Sequence, residues 1–233
     1  MRLGLGLGRV RGVPLTLPET IPGLAEWLKA GTGLATSGGR VDSWTGIKGG
    51  VAAKVSDPTR PSVATEGGLE CPDFVGANSS ELLLPLALAK VFCIAVVLRT
   101  AVDVTQSVFA AESSGAVVQC RAFADAPGDV YWQTLTGVGR TVQATYTAAS
   151  LECWVFVCTG SRVDIYRNGI KTSGAGGTTL AADVTQLRLG NIAIGAPYFG
   201  ECNMLDVVAY TGDIGDAAIG ELDAYLRALR SVP

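Results

Sequence analysis

The sequence predicts an all-β fold, a two-sheet antiparallel sandwich of jelly-roll type with a short N-terminal helix and a C-terminal helix. Three observations carry the prediction. Trp154–Gly169, WVFVCTGSRVDIYRNG, holds two hairpin signals, Gly160-Ser161 and Asn168-Gly169. About a dozen short apolar runs follow one another between turn residues, in a chain with 30 glycines. Asp216–Arg230 alone pairs helical length with an apolar stripe, Ile219, Leu222, Leu226 and Leu229, and Tyr225 sits beside it.

The elements follow in order. Residues 1–20 read as an extended arm: Leu3, Leu5 and Leu7 alternate with glycine, and Arg2, Arg9 and Arg11 precede any acid. Residues 21–233 read as one domain. Leu24, Trp27 and Leu28 fall at i, i+3 and i+4, which predicts a short helix over Gly23–Ala30. Strands are expected at Arg40–Trp44, Ser62–Thr65, Leu69–Val75 and Glu81–Leu84. Val91–Arg99 is apolar on both faces and reads as a central, doubly covered strand. Pro85 and Lys90 split Leu82–Leu98 into two strands with a link rather than a membrane span. Further strands are expected at Gln106–Ala111, Val117–Ala124, Asp129–Leu135, Arg140–Thr147, Gln186–Leu189 and Cys202–Tyr210. In the hairpin, a Gly160-Ser161 turn pairs Thr159 with Arg162. Cys158 then faces Val163, Phe156 faces Ile165, and Trp154 faces Arg167 on one dry face. Val157 with Asp164 and Val155 with Tyr166 lie on the other, half-wet face. Asp213 or Asp216 can cap the closing helix, and Arg227 and Arg230 suit its C-terminal end.

Composition narrows the chemistry. Hydrophobic residues make up 48% of the 233 residues and charged ones 17%, with a net charge of −3. No basic footprint for nucleic acid exists. The absence of histidine removes Ser-His-Asp and Cys-His catalysis and imidazole metal sites. Glu201 and Asp206, five apart on a strand, fall on opposite faces and cannot straddle a scissile bond as a glycosidase requires. The N-terminus lacks the continuous apolar core of a signal peptide. No cofactor is expected. Calcium at the loop candidates Asp103, Asp125, Asp129 and Asp183 is a minor alternative, since none forms an Asp-x-Asp pattern. Cys93 and Cys158 look like core thiols. Cys71, Cys153 and Cys202, each beside a glutamate, look nearer the surface and are candidates for inter-chain disulfides.

Aromatic residues mark one further surface. In Asp129–Gln133, Tyr131 and Trp132 must point to opposite faces, so one of them is expected to be exposed. Tyr131, Trp132 and Gln133, with Asp164 and Tyr166 on the hairpin's half-wet face, form a candidate surface for a glycan or a protein partner.

An ordered set of segments carries a resemblance: Leu24–Ala30, Val41-Asp42-Ser43-Trp44, Thr59-Arg60-Pro61, Trp154 leading to Tyr166-Arg167-Asn168-Gly169, Leu187-Arg188-Leu189-Gly190, Phe199-Gly200 leading to Val207–Tyr210, and Tyr225-Leu226. Together they resemble the concanavalin A-like, laminin G-like jelly-roll family, in the form common among tailed-bacteriophage virion genes. The resemblance implies a non-enzymatic virion structural or accessory protein on the head, neck or tail, assembled in the host cytoplasm. Such a part would act by protein–protein contacts with other virion proteins, as a homo-oligomer. The arm, through Arg2, Leu3, Leu5, Leu7 and Arg9, would dock on a neighbour. The alternative is a lectin-like module that attaches to a host surface glycan. Nucleic acid and membrane are not expected partners.

Overall fold

A computed structural model describes residues 17–76, 79–100, 106–125, 128–135, 141–160, 162–174, 180–191 and 200–233. The docking-arm residues Arg2, Leu3, Leu5, Leu7 and Arg9 lie outside these. In chain order the strands are β1 (Leu24–Lys29), β2 (Leu34–Ser37), β3 (Arg40–Thr45), β4 (Val51–Lys54), β5 (Ser62–Glu66), β6 (Leu69–Phe74), β7 (Leu82–Leu88), β8 (Phe92–Thr100), β9 (Gln106–Ser113), β10 (Val117–Asp125), β11 (Asp129–Thr134), β12 (Thr141–Thr145), β13 (Leu151–Cys158), β14 (Val163–Arg167), β15 (Ile170–Gly174), β16 (Val184–Leu189) and β17 (Cys202–Thr211). The helix α1 (Gly215–Arg230) closes the chain. Among the described residues no helix is long and apolar enough to cross a membrane.

Pairing between described strands is antiparallel. One run of neighbours is β2–β3–β4–β7–β16–β9–β10–β11–β12. The other is β1–β17–β8–β13–β14–β15. Strands β5 and β6 bridge them, since β5 pairs with β3 and β6 pairs with β17. The molecule is therefore an all-β antiparallel sandwich, close to a closed barrel, with one C-terminal helix.

The main core fills the space between the runs. Trp132 is fully buried there, with Phe92, Phe109 and Phe156 at ring-centroid distances of 6.1, 5.7 and 5.4 Å. Its indole Nε1 donates to the Val157 carbonyl on the opposite run at 3.0 Å, so the ring also satisfies its one polar atom. A second apolar layer lies outside the β17–β8–β13 face. Cys93, Ala95, Val97, Val155, Val157, Val208 and Tyr210 are roofed there by Ile219, Leu222 and Leu226 of α1. The doubly covered β8 that the sequence predicts has this cause.

The hairpin register is as predicted from Trp154↔Arg167 to Cys158↔Val163, and Thr159 N–H donates to the Arg162 carbonyl at 2.9 Å. Leu82–Leu98 divides into β7 and β8, also as predicted. The N-terminal helix is not found. Gly23–Ala30 contains strand β1, which pairs with β17 from Leu24↔Tyr210 to Lys29↔Asp206. Leu28 enters the main core and Trp27 the layer under α1. A strand buried on both faces shows no two-residue alternation, so its apolar residues matched helical spacing by coincidence. Strands β2, β4 and β15 are only four or five residues long and gave no strand signal in the sequence.

Candidate functional site

The face that α1 leaves uncovered belongs to β10, β11 and β12. Alternation sends Ala122, Ala124, Val130 and Trp132 into the core and turns their neighbours outward. Register then stacks three cross-strand rungs in line: Arg121 opposite Gln133, Phe123 opposite Tyr131, and Asp125 opposite Asp129. The Phe123 and Tyr131 rings stack with centroids 4.9 Å apart and planes 12° apart. The Arg121 guanidinium lies over Phe123 at 4.8 Å, and its Nε donates to Gln133 Oε1 at 2.9 Å. Thr141, Gln143 and Thr145 of β12 are exposed opposite Gln133, Tyr131 and Asp129. Partial burial, then the Asp129 and Asp125 carboxylates, push the Tyr131 phenol upward, so at neutral pH it is an O–H donor.

The chemistry grades along the ladder. Its middle rung is an aromatic plate able to take the C–H face of a sugar ring. One end offers carboxylate acceptors, the other a guanidinium and amides. The bonds within the ladder fix these groups before any ligand arrives.

A polar cluster lies on β9, the neighbour of ladder strand β10, and on β16 beyond it. Glu112 on β9 is fully buried and accepts from Gln186 and from Arg188 Nε at 2.8 Å. Arg188 Nη1 reaches Glu81 at 2.8 Å, and Asn191 Nδ2 donates to Glu81 at 2.8 Å. Sequence reasoning missed this cluster. The signal was Glu112 directly after the apolar run VFAA, in a strand expected to end at Ala111.

Tyr131 and Gln133 stand half-exposed on the ladder. Trp132 does not join them, because it is the pivot of the core. Asp164 and Tyr166 are brought together, but beneath the chain's own helix. Asp164 is fully buried beside Arg162 at 3.0 Å and Lys171 at 3.4 Å. Tyr166 donates to Asp216 of α1 at 2.9 Å. The predicted half-wet face is therefore an intramolecular interface. The disulfide candidates are corrected likewise. Cys71, Cys153 and Cys202 are buried free thiols, as are the other three cysteines. Burial pushes the Cys71 and Cys158 thiols up to about 12 and raises the remaining four as well. Of the calcium candidates, Asp125 and Asp129 face one another, Asp183 does not join them, and Asp103 is outside the described residues. Among the described residues no group of three or more His, Cys, Asp or Glu could hold a metal.

No family model and no curated protein matches the chain. Solved structures do. A Trypanosoma rangeli sialidase in complex with sialic acid aligns with a TM-score of 0.61 at 16% identity, over 91% of this chain and 34% of the sialidase. Botulinum neurotoxin type C, in a structure concerned with two ganglioside molecules, aligns with a TM-score of 0.60 at 7% identity, over 91% of this chain and 53% of that one. The binding domain of botulinum neurotoxin DC in complex with SialylT aligns with a TM-score of 0.55 at 9% identity, over 81% and 51%. The chain thus spans about a third of the sialidase and about half of each toxin chain. These neighbours overturn the expectation of a virion structural part acting through protein–protein contacts.

Proposed function

We propose that the chain is a non-catalytic glycan-binding module of concanavalin A-like, laminin G-like jelly-roll type, directed at a surface glycan. The carrying observation is the stacked Phe123–Tyr131 rung, flanked by carboxylates on one side and by the Arg121–Gln133 pair on the other, on the face that the helix leaves open. The sialidase and toxin neighbours support the carbohydrate reading through fold. The lack of histidine and the engagement of buried Glu81 and Glu112 by Arg188 support binding without turnover.

A glycan array with the purified protein tests this, followed by titration of the best ligand. Tyr131→Ala should weaken binding about tenfold or more, the size of a modest hot spot. Gln133→Ala should weaken it less. A silent array, or wild-type affinity in Tyr131→Ala, sinks the proposal.

A further inference from the structure

A recess lies at the C-terminal end of α1. It is a cleft of about 490 Å³, within the range of small-molecule sites. Leu69, Leu151, Leu205 and Leu229 supply its apolar walls, and among the described residues no aromatic ring lines it. Its polar lining includes Ser150, Ser231 and the Glu66–Arg99 pair. Arg99 is clamped by both Glu66 oxygens at 2.8 Å and by the Ala149 carbonyl. Its guanidinium carries more N–H groups than these bonds use. Arg230, also in the lining, is consumed by buried Asp206. Two of the five described non-glycine residues with positive φ, Ala149 (60°) and Ser231 (55°), border this one cleft. Such backbone costs energy and clusters at binding sites.

We infer that this cleft binds a neutral amphiphile, a short aliphatic chain with a hydroxyl-bearing head. Leucine walls without an aromatic plate suit a methylene chain better than a stacked sugar ring. Each lining cation is already matched by a carboxylate, so an anionic head would find no unneutralised cation and would sit close to the Glu66 carboxylate. A neutral head can bond to Ser150, Ser231 and the remaining Arg99 N–H groups without disturbing either pair. The inference is independent of the ladder on β10 and β11.

The probe is octyl β-glucoside below its micelle concentration, compared with methyl β-glucoside and octanoate, followed by leucine-methyl NMR and calorimetry on the full chain. Octyl glucoside should shift the methyls of Leu69, Leu151, Leu205 and Leu229. Methyl glucoside should bind more than tenfold more weakly, because it lacks the chain, and octanoate should also bind more weakly. Ser150→Trp should abolish the octyl glucoside response, and Tyr131→Ala should leave it intact. Equal binding of methyl glucoside, tighter binding of octanoate, shifts confined to other leucines, or loss on Tyr131→Ala would each overturn the inference. The leucine shifts in the unaltered protein decide the matter even if Ser150→Trp does not fold.

Discussion

The two outer faces of the sandwich are built from similar strands and finished in opposite ways. Outside β17, β8 and β13 the side chains are Val, Ala, Cys and Tyr, and α1 roofs them. Outside β10 and β11 they are Arg, Phe, Asp, Tyr and Gln, and among the described residues no helix covers them. Where the outward residues are aliphatic, the chain supplies its own cover. Where they are aromatic and polar, it leaves a surface with its groups already bonded in place. The first face contributes stability and the second is available for recognition.

That contrast can be broken by substitution. The largest effect is expected at the helix anchor. Arg230 donates to both Asp206 oxygens and Trp27 Nε1 donates to Oδ1 at 3.0 Å. Arg230→Ala leaves a buried carboxylate without its cation and should cost roughly 3–5 kcal/mol in denaturant unfolding. Leu222→Ala opens a hole beneath the helix and should cost about 2–5 kcal/mol. Tyr131→Ala, on the half-exposed ladder, should cost less than about 1 kcal/mol of stability while weakening glycan binding about tenfold or more. If Tyr131→Ala destabilises as much as Leu222→Ala, the two faces do not differ as described.

Thiol labelling sharpens the same comparison without mutation. All six thiols are buried and three of them, Cys93, Cys153 and Cys71, lie under the helix layer. An exposed-thiol reagent at pH 8 should find none in the folded protein and six after denaturation. The smallest effect concerns acid. Arg162, Lys171 and Tyr166 hold the Asp216 carboxyl well below the usual carboxylate range. Its folded pKa is depressed, so its contribution is present above about pH 4 and lost as pH falls below that. The side chain is half-exposed, so Asp216→Asn should cost less than about 1 kcal/mol at pH 7. The difference between variant and wild type should shrink as the pH is lowered.

The hairpin was fully legible because a two-residue turn fixes register, and register fixes every pair from Trp154↔Arg167 to Cys158↔Val163. What covered its second face was not legible. Val155, Val157 and Tyr166 announce burial but do not say by what, and α1 lies about fifty residues further along the chain. The cysteines misled for a related reason. Glu70 beside Cys71 suggested surface, yet neighbours on a strand point to opposite faces, so Glu70 is exposed while Cys71 is buried. At the candidate site, Tyr131 and Gln133 could be read from alternation. Their partners Phe123 and Arg121 could not, because their position depends on the pairing of β10 with β11.

One feature of β1 reaches beyond binding and stability. The Glu26 carboxylate is buried and accepts from the N–H groups of Trp27, Lys48 and Gly50 at 2.9, 2.8 and 2.5 Å. A Cβ at Gly46 or Gly50 would stand 2.3 or 2.4 Å from that carboxylate. The shape of the 46–50 loop is thus dictated by a residue some twenty positions upstream, while Ile47 at its tip is 46% exposed. Form and content are separated there. The two glycines and Glu26 are constrained to change together, while exposed Ile47 and Lys48 at the tip can take new side chains and Gly49, at φ 92°, cannot.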